Sequence, residues 1–98
     1  MADVITIIAR IETKKDRVEF VKSEMIKLRT PTLQEVGCIK YDVHQSNQHP
    51  ELFFLYAQWE SRELFLRSHM ESGHLAEFKA AIEGDVVSHT MNELTKLT

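Results

Sequence analysis

Apolar residues recur along this chain with two different periods, and the changes of period divide it into six elements. Residues 4–11 are mostly β-branched, with Ile5, Ile7, Ala9 and Ile11 on one side and Val4 and Ile8 on the other, which predicts a strand. After Lys14, Lys15 and Asp16, the apolar positions Val18, Val21, Met25 and Leu28 fall three and four residues apart, the spacing of a helix. Pro31 is expected to bend or restart that helix, since its ring removes an N–H and disfavours a helical conformation at Thr30. The stretch from Thr32 to Glu35 has the form of a capping box and predicts a short helical turn before Gly37. Residues 39–45 and 52–59 then read as an antiparallel hairpin around the polar break from Ser46 to Pro50. Ser61 is placed to cap a helix bearing Leu64, Phe65 and Leu66, which breaks near Ser72 and Gly73. A second helical piece, 74–82, carries Leu75, Phe78, Ala81 and Ile82 and stops at Gly84. The remainder, 86–97, sets Val87, His89 and Met91 against Ser88, Thr90 and Asn92, a final strand. The order β-α-β-β-α-β is the split arrangement of a ferredoxin-like α+β sandwich.

That order has a consequence for assembly. Two helical segments of one short chain cover one face of a four-stranded sheet, yet residues 4–8 and 52–57 are apolar at positions facing both ways. At roughly 25 cal/mol per Å², leaving such a face in water forfeits several kcal/mol, and the patch would be unusual on a monomer. A second copy packed sheet against sheet resolves this, so a two-fold homodimer is expected.

Length and composition narrow the function classes. A chain of 98 residues that is 43% hydrophobic and 28% charged is a single domain, 1–98, with its core at about 4–97. Its net charge of −3 offers no basic footprint for nucleic acid. The apolar run that ends at Arg10 is far shorter than the roughly 20 residues of a spanning helix, so no membrane association is expected. The single cysteine, Cys38, has no internal disulfide partner, which fits a cytoplasmic protein. Gly37, Gly73 and Gly84 are scattered and form no dinucleotide loop, so no nicotinamide or flavin cofactor is expected.

The segments Ile5-Thr-Ile-Ile-Ala-Arg10, Pro31-Thr-Leu-Gln-Glu-Val-Gly-Cys38, Tyr41-Asp-Val-His44, Leu55-Tyr-Ala-Gln-Trp-Glu-Ser61, and Ser68-His69 through Gly73-His74 resemble the antibiotic biosynthesis monooxygenase family. The resemblance runs over nearly the whole chain. It implies ferredoxin-like protomers joined as a dimeric α+β barrel, and an activity among cofactor-independent oxygenation of quinols or polyketides, haem degradation, and isomerisation of a phosphorylated signal. Many members of the family carry a carboxylate two residues before the tryptophan, where this chain has Ala57. The haem branch resembles this chain least, because the one tryptophan, Trp59, ends a strand.

The candidate chemistry centres on His69, whose imidazole can exchange protons with a phenol near neutral pH or, alternatively, sit against a helix C-terminus. Under the oxygenase reading His69 and Tyr56 are the catalytic residues. Trp59 is either an aromatic wall for a flat substrate or core, and Tyr41 is a second orienting hydroxyl. Arg10 is expected either to orient an anionic or carbonyl group or to pair with a surface carboxylate. His74 either contributes to substrate binding or caps and packs. No metal site is expected, because His69 and His74 are not four residues apart and His44, His49 and His89 lie on separate elements. The expected reaction is cofactor-independent monooxygenation of a small aromatic quinol or phenol. The alternatives are proton transfer or isomerisation on a small carbonyl or phosphorylated metabolite, and non-catalytic binding of a small molecule.

Overall fold

The protein is described by a computed structural model over residues 4–98, and the first three residues of the expected domain lie outside the described residues. The elements run β1 (Ile5–Thr13), α1 (Val18–Leu33), β2 (Cys38–Gln45), β3 (Leu52–Trp59), α2 (Arg62–Leu64), α3 (Gly73–Ile82) and β4 (Val86–Leu94). A π-helical stretch, Phe65–Met70, prolongs α2. The sheet order is β2-β3-β1-β4 with antiparallel neighbours throughout, so the expected ferredoxin-like α+β fold is the one observed.

Strand alternation sets the two faces. Ile5, Ile7, Ala9 and Ile11 of β1 share the helix-covered face with Phe53, Ala57 and Trp59 of β3 and Tyr41 of β2, and all are buried. Val21, Met25 and Leu28 of α1, Phe65, and Leu75 and Ile82 of the last helix close over them. Each large side chain buried this way contributes roughly 1.5–3 kcal/mol. The opposite face is open and mixed. Ile8 pairs across to Tyr56 there and Arg10 to Phe54, so an apolar stripe runs beside a polar one. Its apolar members on β3, Leu52, Phe54 and Tyr56, are half-buried.

The structure refines several local expectations. Helix α1 continues through Pro31 to Leu33 without restarting. The proline removes a single N–H close to the helix end, and the Thr32 hydroxyl donates to the Leu28 carbonyl at 2.8 Å, which ties down the same turn. The capping box does not form, because the Thr32 hydroxyl is used in that bond and the Glu35 side chain turns to the second helical region. The second helical region begins as an α-turn, where Ser61 accepts from the Leu64 N–H at 3.2 Å as expected. It then widens to π winding, which brings Phe65 and His69 onto one inward line, both buried. On β4, a register shift opposite Glu12 and Thr13 leaves Val87 exposed, while His89 and Met91 lie opposite Ile11 and Ala9 on the helix-covered side.

Candidate functional site

The strands and α3 do not meet tightly at the β1–β4 end, and the gap is a cavity of about 370 Å³, within the size range of small-molecule sites. Its floor is Ile7, Ala9 and Ile11, its roof is Leu75, Phe78 and Ile82, and its inner wall is Tyr41, Trp59, Phe65 and His69. Exposed Lys79, Glu83, His89 and Met91 mark the mouth. Apart from that rim the lining is apolar and aromatic.

His69 is the imidazole of the inner wall. It is 5% exposed, and its ring lies 5.0 Å from Trp59, 5.5 Å from Tyr41 and 5.9 Å from Phe65, centroid to centroid. Its Nδ1 meets the Glu35 Oε2 at 2.9 Å. The same carboxylate oxygen contacts the Nε2 of His74. An ionised carboxylate only accepts, so both ring nitrogens donate to it. His69 Nε2 is thereby left with its lone pair, while the ring is held through Nδ1.

The backbone explains how three distant residues meet. Glu35 follows α1, where Glu35 N–H donates to the Thr32 carbonyl and Cys38 N–H to the Glu35 carbonyl. The Ser68 hydroxyl donates to the Val36 carbonyl at 2.9 Å, fastening the π-helical stretch to the Glu35–Gly37 corner. Ser72 donates its hydroxyl to the His69 carbonyl at 2.7 Å and accepts from Leu75 N–H, so it joins the end of one helix to the start of the next. That sharp junction swings His74 back beside His69, with ring centroids 6.3 Å apart. The five-residue spacing across the expected break near Ser72 and Gly73 reads as separating the two histidines; the break is instead what brings them together.

Burial pushes the His69 pKa below the ordinary imidazole value, opposed by the Glu35 hydrogen bond and charge and reinforced by the charges of His74 and Lys79. The ring is therefore neutral at physiological pH, the form that accepts a proton. Burial, then the charge of Glu35 and of Cys38, pushes the Tyr41 hydroxyl above its usual value, so it remains a donor. Burial, with the Glu35 charge next, raises the Cys38 thiol to about 11, which leaves it a poor nucleophile.

The structure separates the sequence-predicted candidates into two groups. His69, Trp59 and Tyr41 border the cavity, and His74 joins them through Glu35. Tyr56 and Arg10 stand on the opposite sheet face. Tyr56 accepts from Gln58 at 3.4 Å beneath the Lys40 ammonium, and Arg10 donates to Ser88 at 3.0 Å beside Glu12. Glu35 is the residue that sequence reasoning missed. It lay within a segment carrying the family resemblance, but the capping-box pattern assigned its side chain a local role. The ligand atoms of Glu35, His69 and His74 lie within 4.8 Å of one another. In this arrangement both rings hydrogen-bond to the one carboxylate oxygen. His44, His49 and His89 do not converge on it.

The profile of the family described as "Antibiotic biosynthesis monooxygenase" matches residues 4–81. The chain belongs to this family. A solved Pseudomonas aeruginosa structure is 28% identical, with 100% of this chain and 98% of that chain covered and a TM-score of 0.93. One from Mycobacterium tuberculosis is 24% identical over 98% of this chain and 97% of that one, with a TM-score of 0.88. One from Methanosarcina mazei is 24% identical over 96% and 93%, with a TM-score of 0.87. The latter two speak to the fold alone. No curated protein matches the chain. Among the described residues no helix is long and apolar enough to cross a membrane.

Proposed function

We propose that this family member is a cofactor-independent monooxygenase that acts on a small aromatic quinol or phenol held in the apolar cavity. The observation that carries the reading is the geometry of His69. Its Nδ1 is held by a buried carboxylate, and the ring borders a cavity large enough for one or two aromatic rings. His69 takes the phenolic or benzylic proton, Tyr41 donates to the substrate oxygen where negative charge develops, and Trp59 supports the ring plane. The resulting electron-rich anion is itself the reductant of dissolved oxygen. One oxygen atom becomes the new carbonyl oxygen of the product and the other leaves as water: a hydroxyanthrone CH2 and O2 yield C=O and H2O, and a phenol's ring C–H and O–H with O2 yield a quinone and H2O.

The test begins with a thermal-shift screen of quinols, hydroxyanthrones and sugar phosphates, since a ligand that binds the folded state raises Tm. Oxygen uptake is then measured on each hit. Stoichiometric uptake with a hydroxyanthrone or quinol supports the reading; a hit that is transformed without oxygen consumption rejects it. The second outcome would favour proton transfer or isomerisation on a small anionic carbonyl or phosphorylated metabolite. Lys79 supports that alternative, because it stands at the mouth and forms no ion pair among the described residues.

The same proposal includes a homodimer in the cytoplasm. Half-buried Ile8, Phe54 and Tyr56 on the open sheet face support the pairing, and a lone cysteine without a disulfide partner fits a reducing compartment. Light scattering at micromolar concentration should give twice the chain mass. A sharp monomer mass would remove the dimer from the proposal.

A further inference from the structure

We infer that His69, Glu35 and His74 form one titrating unit that holds a single excess proton, so that a proton taken from the substrate by His69 is matched by release of one from His74 to solvent. This rests on the proposed proton-abstracting role of His69 and adds a route for the charge. It gives His74 a role that the cavity lining alone would not assign, since His74 does not border the cavity.

The geometry has three parts. First, one carboxylate oxygen serves both rings, His69 Nδ1 at 2.9 Å and His74 Nε2. Two imidazolium rings around one carboxylate would leave a net positive charge in a site shielded from water, and two like charges this close titrate in separate macroscopic steps. Second, exposure rises toward the surface. The Glu35 side chain is 4% exposed and that of His69 7%, whereas that of His74 is 27% exposed. A second positive charge is therefore expelled through His74. Third, the other charged and titratable groups facing the unit favour this direction. Lys79 adds positive charge near His69, and Tyr41 and Cys38 are held in their neutral forms.

The step balances simply. The substrate O–H or C–H bond breaks, its electron pair stays on the substrate, and the proton forms a bond to His69 Nε2. His74, protonated beforehand at Nδ1, loses that proton to bulk water, and both rings keep their N–H bonds to Glu35.

The variant of choice is His74→Gln, whose amide can still donate to Glu35 but cannot titrate. Ring NMR titration of the full-length protein should show two separated steps for the wild type, each visible at both His69 and His74. In His74→Gln, His69 should titrate in one step at higher pH than in the wild type. The second measurement uses 4-nitrophenol, whose phenolate is coloured, in weak buffer at the pH between the two steps. Wild-type protein should release about one proton per phenolate bound, and His74→Gln should bind the phenolate while releasing almost none. Independent single-step titrations of the two wild-type rings, or equal proton release by both proteins, would overturn the inference. Failure of 4-nitrophenol to ionise on binding would count against His69 as the base, and the NMR titration would still decide whether the three residues act as one unit.

Discussion

His69→Ala should lower turnover of a confirmed aromatic substrate by about 10²–10⁴-fold, the usual contribution of a positioned general base. The loss should fall on kcat more than on KM, because Trp59, Phe65 and Leu75 still form the apolar walls. The pH profile adds a second signature. Burial depresses the pKa of His69 below the ordinary imidazole value near 6.5, so the neutral, proton-accepting form is present at and above neutrality. Activity should therefore persist as pH falls to the ordinary histidine range and decline only below it, and the variant should lose that acid limb. The same depressed pKa makes neutral His69 a source of stability above the unfolded-state value, lost as pH falls through the folded-state value. Undiminished turnover in a variant with unchanged circular dichroism would remove His69 from the reaction.

Gly37→Ala should destabilise the fold by roughly 2–5 kcal/mol, combining strain at a positive φ with overpacking. Gly37 has φ of +88°, and an added Cβ would lie 2.6 Å from the Leu64 Cδ1 and 2.8 Å from its Cβ. Relief is restricted because the Gly37 carbonyl accepts from the Glu60 N–H at 2.8 Å and the adjacent Val36 carbonyl accepts from Ser68. Thermal unfolding at fixed protein concentration should drop by about 10 °C or more, given some 4–8 °C per kcal/mol for a domain of this size. Gly84→Ala is the matched control, since nothing lies within 4 Å of a Cβ there. Equal melting temperatures for the two variants would mean that the Gly37 corner relaxes freely. A shifted corner would also displace Glu35, two residues away, and with it the orientation of His69.

Much of the framework was legible from periodicity. The β-branched run of β1, the three-and-four spacing of Val21, Met25 and Leu28, and the polar break between β2 and β3 each reflect a local preference that the fold also satisfies. Errors arose where one side chain had both a local and a distant use. Glu35 fits a capping box by spacing, but the His69–His74 pair provides a stronger partner for its carboxylate than a backbone N–H in a solvated turn. Tyr41 and Tyr56 are alike as sequence, two tyrosines on apolar strands. The pairing of Tyr41 with Ala57 and of Tyr56 with Ile8 places them on opposite faces, and a one-residue change in register would exchange them.

The amino-acid sequence by itself determined the α+β order, the helix-covered strand face and membership of the family, because these follow from local periodicity and from motifs spread along the chain. Only the tertiary structure decided which polar residues belong together. Glu35 comes from the turn after α1, His69 from the π-helical stretch and His74 from α3, and the cavity exists where α3 and the β1–β4 edge fail to close. Such convergence depends on the Gly37 corner, the π-helical winding and the Ser72 junction acting together, and no window of sequence spacing contains that geometry.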